Sequence, residues 1–207
     1  MIEESFRQLC TPNPGPGLLV LLEGGDGTGK STIKERLRNH FPDAAHTGRI
    51  GGEDIPEELD VIWRRMLMNG DAQKYPYLWQ GYSFCNNMES QVQVQEQALR
   101  SGRLVIADRG WPSQICYGEA VGCDKKWLRS MVRPLYYPDL TFVFLRRHMQ
   151  GPDAVEQDRR LQNRVRSNYR GLIASERWWE APDLTENEMV LWAATRIRRA
   201  LRLRARQ

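Results

Sequence analysis

The sequence predicts an α/β protein in which helices flank a mostly parallel sheet, and three observations predict it. Short, wholly apolar runs recur at Leu18 to Leu22, Leu104 to Ala107 and Phe142 to Leu145, as buried parallel strands require. Stretches with apolar residues at helical spacing separate them. Glycine and proline punctuate the joints. Strands alternating with helices give a sandwich around a parallel sheet. At 207 residues, 41% of them hydrophobic, the chain suits one compact domain and is neither disordered nor membrane-spanning.

In order, Thr11-Pro12-Asn13-Pro14-Gly15-Pro16-Gly17 forbids regular structure, so residues 1–17 are expected to form a surface arm and 18–207 a single domain. Leu18 to Leu22 is the first strand. A helix follows from Lys30 to His40, stopped by Phe41-Pro42. Residues 44–50 form a weak second strand. Pro56 opens a helix to Asn69, with Ile62, Trp63, Met66 and Leu67 at helical spacing and Gly70 ending it. One helix is expected from Tyr77 to Ser101. Leu104 to Asp108 and Thr141 to Leu145 are the next strands, residues 112–133 and 155–177 are helical, and a last helix runs from Glu186 to Arg206. Trp178-Trp179 reads as core packing before a last strand near Glu180.

Thirty basic against 26 acidic residues leave +4, which by itself says little about partners. Only five of the basic residues are lysine, and arginine suits bidentate recognition of phosphate, although biased composition explains the excess equally well. Cys10, Cys85, Cys116 and Cys123 show no metal or disulfide spacing, and the acidic N-terminus is no secretory signal, so a cytoplasmic location is expected.

Gly24-Gly25-Asp26-Gly27-Thr28-Gly29-Lys30-Ser31 fits GxxxxGK[ST], with an apolar strand entering it and a helical pattern leaving it. The glycines let backbone N–H groups turn inward around phosphate oxygens, beside a helix N-terminus. Lys30 reaches the β- and γ-phosphates and the Ser31 hydroxyl ligates Mg²⁺, so ATP and Mg²⁺ are the expected cofactors. Asp108 ends a buried strand at the edge where ligands bind, beside the metal, and Arg109 places a fixed cation near the transferring phosphoryl group. The guanine-reading NKxD of a GTPase switch does not occur and no DxxG loop follows the P-loop, so phosphoryl transfer to a second small molecule remains.

Glu23-Gly24-Gly25-Asp26-Gly27-Thr28-Gly29-Lys30-Ser31-Thr32 resembles the thymidylate kinase P-loop, and Asp108-Arg109 with Ser113 and Tyr117 resembles that family's DRxxxSxxxY segment. Pro138-Asp139-Leu140-Thr141 and the segment from Glu156 to Tyr169 are similar to the entry to its fourth strand and to the helix after its lid. The resemblance implies a P-loop kinase three-layer sandwich on a five-stranded parallel sheet, a mobile lid, here near 146–160, and commonly a homodimer. It implies transfer of the ATP γ-phosphate to a nucleoside monophosphate, with dTMP the leading acceptor. The P-loop from Gly24 through Thr32 would hold ATP, Asp26 would meet the acceptor's sugar hydroxyl, Arg109 its phosphate, and Tyr117 its sugar or base, with Ser113 alongside. In place of the family's TREPGG-like arginine stands Arg49, one position later.

The family's thymine-reading phenylalanine and arginine fall on Ser83 and Asn87 when counted back from Gly102. Phe84 lies one residue off, about 100° around a helix, and Asn87 offers both donor and acceptor to a base. Ordinary core and surface positions explain Phe84 and Asn87 as well. Because Gly27 follows Asp26, transition-state charge is expected from the lid arginines, Arg147 first among Arg146, Arg147, Arg159 and Arg160. Two other readings stay open. A kinase acting on a nucleoside or other small-metabolite hydroxyl would need Glu53 or Asp54 as base. A catalytically decayed nucleotide-binding partner protein would act through Arg196, Arg198, Arg199, Arg202, Arg204 and Arg206 of the last helix. Packing explains that helix without a partner, so neither nucleic acid nor membrane is expected to bind.

Overall fold

The structure, a computed structural model, describes residues 4–47, 57–145 and 154–206. Its sheet has five parallel strands: β1 (Leu18–Gly24), β2 (Ala45–Thr47), β3 (Leu104–Asp108), β4 (Leu140–Phe144) and β5 (Trp179–Glu180), in the spatial order β2-β3-β1-β4-β5. Central β1 is buried along its whole length, which explains why Leu18-Leu19-Val20-Leu21-Leu22 shows no polar alternation. Leu18, Val20 and Leu22 face one layer, built on Ile33 and Leu37 of α2 (Lys30–His40) and on Met189, Ala193 and Ile197 of α11 (Glu186–Arg204). Leu19 and Leu21 face the other, with Ala98 and Leu99 of α6 (Glu96–Arg100). That side continues through α5 (Pro76–Ser90), α7 (Trp111–Ala120), α8 (Lys125–Val132) and α10 (Arg159–Glu176), whose largest side chains pack around Trp111 and Tyr169.

Several boundaries differ from the sequence reading, each for a local reason. Two short helices, α3 (Glu57–Met68) and α4 (Asp71–Lys74), meet at Gly70, whose φ of +72° ends the first. The helix expected from Tyr77 to Ser101 is α5 and α6 joined by a π-helical turn, Gln91–Gln95. Buried Gln91 anchors that turn, donating to the Pro134 carbonyl at 3.0 Å and accepting from the Tyr136 amide at 2.8 Å. A π turn takes up an extra residue, so counts along a straight helix do not carry across it. The helical stretch 112–133 breaks at Gly122, with φ of +92°, and Asp124 caps α8 by accepting from the Trp127 amide. In the stretch 155–177, Asp158 caps α10 and separates it from α9 (Ala154–Gln157). Of the expected strand 44–50, residues 48–50 lie outside the described residues.

The chain before β1 is docked. A single helical turn, α1 (Phe6–Leu9), buries Phe6 in a stack on Trp111, with ring centroids 4.7 Å apart. Asp139, just ahead of β4, accepts from the Leu19 amide and from Asn13, and pairs with Arg204 at 2.6 Å. Arg204 also donates to the Gly15 carbonyl, Arg196 stacks on Trp179 and Trp192, and Arg198 lies over Phe41. Three arginines of the basic terminal helix therefore have internal partners. Trp179 is 46% exposed and sits under Arg196, so it is not the core residue that the sequence suggested; Trp178 is half-buried against Trp111. All four cysteines are free, and among the described residues no helix is long and apolar enough to cross a membrane.

Candidate active site

β1 delivers the chain into the glycine-rich loop at a point with no room for a side chain. A Cβ on Gly24 would lie 2.1 Å from the Phe144 carbonyl oxygen of β4, and φ there is +129°. Gly27 and Gly29 take φ of +65° and +87°, so the loop turns through left-handed conformations and α2 starts directly behind it. The N-terminal amides of α2 thus face the loop's interior, where an anion is favoured. Lys30 is buried and folds over the loop, donating to the Gly25 carbonyl at 2.5 Å and to Thr28 Oγ1 at 3.2 Å. Thr28 Oγ1 in turn donates to Gly25 at 2.9 Å.

Ser31 Oγ donates to Asp108 Oδ2 at 2.9 Å, bringing the first turn of α2 to the end of β3. The other oxygen, Asp108 Oδ1, is buried without a hydrogen-bond partner. A hydroxyl and a carboxylate with one oxygen unused form a hard-oxygen donor set that fits Mg²⁺, an ion commonly held by one or two carboxylates together with substrate phosphates. Among the described residues no group of three or more His, Cys, Asp and Glu side chains forms a closed metal cage.

Arg109 takes φ of +74°, unusual for a residue with a side chain, while its amide stays bonded to the Leu22 carbonyl at 3.0 Å. The guanidinium is buried against the loop. Nη1 donates to the Gly24 carbonyl at 2.7 Å and to Ser113 Oγ at 3.0 Å, and Nη2 pairs with Asp26. Burial pushes the Tyr117 phenol above its ordinary range, so it stays protonated and donates to Asp26 Oδ2 at 2.5 Å. Gln162 of α10 donates to the same oxygen at 3.4 Å. Asp26, Arg109, Ser113 and Tyr117, chosen from the sequence as acceptor contacts, thus form one buried cluster at the mouth of the P-loop.

Beneath it lies a carboxyl group that the sequence reading passed over. Glu23 of β1 is fully buried, and its Oε2 lies 2.7 Å from Ser113 Oγ and 2.8 Å from Tyr169 Oη, within hydrogen-bond reach of both. Burial is the main reason its pKa rises from 4.5 to about 7; Ser113, Arg109, Tyr169 and Lys30 oppose the rise. A carboxyl whose pKa is raised on folding stabilises the fold while both states are protonated, and that contribution is lost as pH rises through the folded value. Between about pH 4.5 and 7, Glu23 is therefore expected to remove up to about 3 kcal/mol of stability, at about 1.4 kcal/mol per unit. Urea unfolding of wild type and Glu23→Gln across this range should show the gap between them shifting in the variant's favour as pH rises, then levelling off.

On the α5 wall, Trp79, Gln80 and Ser83 are buried, and the Ser83 hydroxyl is tied to the Trp79 carbonyl at 2.9 Å. Phe84 is half-buried against the core cluster that holds Trp79 and Tyr117, and Asn87 Nδ2 is buried without a hydrogen-bond partner. On α7, both ends of the buried Gln114 carboxamide are also unpartnered. Gln114, Gln162, Glu23 and Tyr169 carried no sequence signal beyond their places in or beside the motifs. Arg49 and Arg147 lie outside the described residues, as do Arg146, Glu53 and Asp54. Arg159 and Arg160 are exposed at the start of α10.

Comparison with known proteins points one way. The model of the thymidylate kinase family matches residues 22–190. A probable thymidylate kinase of Pyrococcus horikoshii is 30% identical over 166 residues, covering 74% of this chain and 81% of the relative. That of Methanopyrus kandleri is 29% identical over 196 residues, covering 89% and 93%. Among solved structures, thymidylate kinase from Candida albicans superimposes with a TM-score of 0.70 at 20% identity, over 89% of this chain and 93% of that one. The Ehrlichia chaffeensis enzyme gives 0.66 at 20% identity, over 89% and 100%. These two likenesses show the fold, a P-loop kinase sandwich.

Proposed function

Because the chain belongs to the thymidylate kinase family, we propose that it transfers the γ-phosphoryl group of ATP to dTMP. One observation carries the reading from this chain's own residues: Arg109 donates to the carbonyl of Gly24, the first residue of the P-loop, at 2.7 Å. A phosphate on that guanidinium and a phosphate in the loop therefore lie side by side. The loop from Gly24 to Thr32 holds the ATP phosphates, with Lys30 over them. Arg109 holds the acceptor's phosphate, Asp26 and Tyr117 meet its sugar, and Ser113 steadies the arginine. Phe84, Asn87 and Gln114 line the base, whose carbonyls and N–H match the unpartnered amides. Arg49 and Arg147 add charge from the segments that precede α3 and α9.

Ser31 and Asp108 hold Mg²⁺, which when bound neutralises charge shared by the β- and γ-phosphates. No strong general base is needed, because the acceptor phosphate is already an anion and the task is alignment. We place the enzyme in the cytoplasm, supported by its free cysteines. We also infer a homodimer, supported by exposed Val61 and Ile62 on α3 and exposed Leu78 on α5, two helices that touch each other.

ADP release from ATP and Mg²⁺ with a panel of nucleoside monophosphates and nucleosides tests the reading. Turnover is expected with dTMP and not with thymidine. Turnover on a nucleoside alone would transfer the site to hydroxyl phosphorylation, and ATP binding without any turnover would leave a nucleotide-binding protein.

A further inference from the structure

We propose that Glu23 is a positioning residue that works as a neutral carboxylic acid: it closes a ring of three hydrogen bonds with Ser113 and Tyr169 and, through Ser113, fixes Arg109 for the acceptor's phosphate. The last clause rests on the dTMP kinase reading; the ring itself does not.

The ring follows from counting protons. Ser113 Oγ lies 2.7 Å from Glu23 Oε2 and 2.7 Å from Tyr169 Oη, and Tyr169 Oη lies 2.8 Å from Glu23 Oε2. At these separations each of the three contacts needs a proton between its oxygens, since two lone pairs facing each other repel. Serine and tyrosine supply two protons. The third belongs to Glu23, and the arrangement that uses all three has each oxygen donating to the next around the ring. Ser113 then donates once and accepts once within the ring. Its second lone pair accepts from Arg109 Nη1 at 3.0 Å, which fills its hydrogen-bonding capacity.

An ionised Glu23 breaks this count, leaving one contact of the triangle with no proton. Its other oxygen, Oε1, is buried without a partner, which suits a neutral carbonyl and is costly for a carboxylate. The groups facing Glu23 are Arg109 and Cys116 from the β3–α7 segment, Lys30 from α2 and Tyr169 from α10. Desolvation outweighs the two cations and pushes the carboxyl up to about 7. Because Arg109 Nη1 is held by both Ser113 and the Gly24 carbonyl, the guanidinium keeps one orientation while Nη2, now on Asp26, remains the edge offered to an anion.

Infrared difference spectroscopy of wild type against Glu23→Gln tests the ring directly. The wild type is expected to show the carbonyl band of a protonated carboxylic acid at about pH 6, absent at about pH 8.5 and absent from the variant at both. In kinetics at about pH 6, Glu23→Gln should raise KM for dTMP about tenfold, with kcat and KM for ATP moving by less than about threefold. A carboxamide cannot both donate and accept at one atom, so glutamine does not rebuild the ring. Tyr169→Phe removes another ring member and should raise KM for dTMP in the same way, which keeps the test open should Glu23→Gln fold poorly. As pH rises past about 7, the wild-type KM should approach that of Glu23→Gln; ionisation of dTMP itself cancels in the comparison. A missing band at about pH 6, or a KM for dTMP that neither variant moves, would overturn the proposal. A chain that phosphorylates no dTMP would sink the kinase reading, and the infrared band would still decide the ring.

Discussion

Arg109→Ala is expected to lower kcat/KM for dTMP by about three orders of magnitude, the loss typical of removing a preorganised charged donor from a reacting phosphoryl group. The side chain is buried, and its two terminal nitrogens are already aimed by Gly24, Ser113 and Asp26. Little reorganisation is then needed when the acceptor's phosphate exchanges with the Asp26 carboxylate. Arg109→Lys keeps the charge but loses the planar fork, so it should recover about tenfold of the loss and no more. Removing the guanidinium also takes the ion-pair partner from the buried Asp26 carboxylate, at a cost of about 3–5 kcal/mol. The double variant Arg109→Ala with Asp26→Asn should regain much of that stability and none of the activity. Full activity in a folded Arg109→Ala enzyme would remove Arg109 from the site.

Lys30→Ala is the second large effect, and it should fall on the other substrate. Its ammonium is held by the Gly25 carbonyl and Thr28, inside the curve of the loop, and ATP phosphates are far stronger partners. A fall in kcat of about a thousandfold is expected, with ATP affinity reduced and dTMP affinity, read by calorimetry without ATP, changed by less than about threefold. Equal loss of both affinities would mean that the loop had collapsed and that Lys30 acts through structure.

Much of this site was legible because its residues sit in contiguous motifs. The loop from Gly24 to Ser31 announces a phosphate cradle by residue type alone, and Asp108-Arg109 at the end of β3 is followed by Ser113 and Tyr117, which α7 puts on one face toward Arg109. Glu23 escaped notice because a carboxylate at the end of an apolar strand looks like the start of a solvated loop, and only the fold shows it beneath Ser113 and Tyr169. Gln162 and Tyr169 belong to a helix that approaches the loop from 136 residues away in sequence, a distance that no local pattern spans. The α5 wall was hard to read for another reason. The π turn at Gln91–Gln95 breaks the straight helical count between Gly102 and Ser83, so the inward face has to be read from burial. The terminal arginines were ambiguous as a charge pattern, and Asp139, Trp179, Trp192 and Phe41 supply partners that the pattern could not name.

The most direct measurement is a quenched reaction of ATP labelled in its γ-phosphate with dTMP and Mg²⁺, resolved chromatographically. The account predicts label in dTDP, formed one for one with ADP and lost in Lys30→Ala. ADP appearing without dTDP, or label entering only a nucleoside hydroxyl, would contradict it.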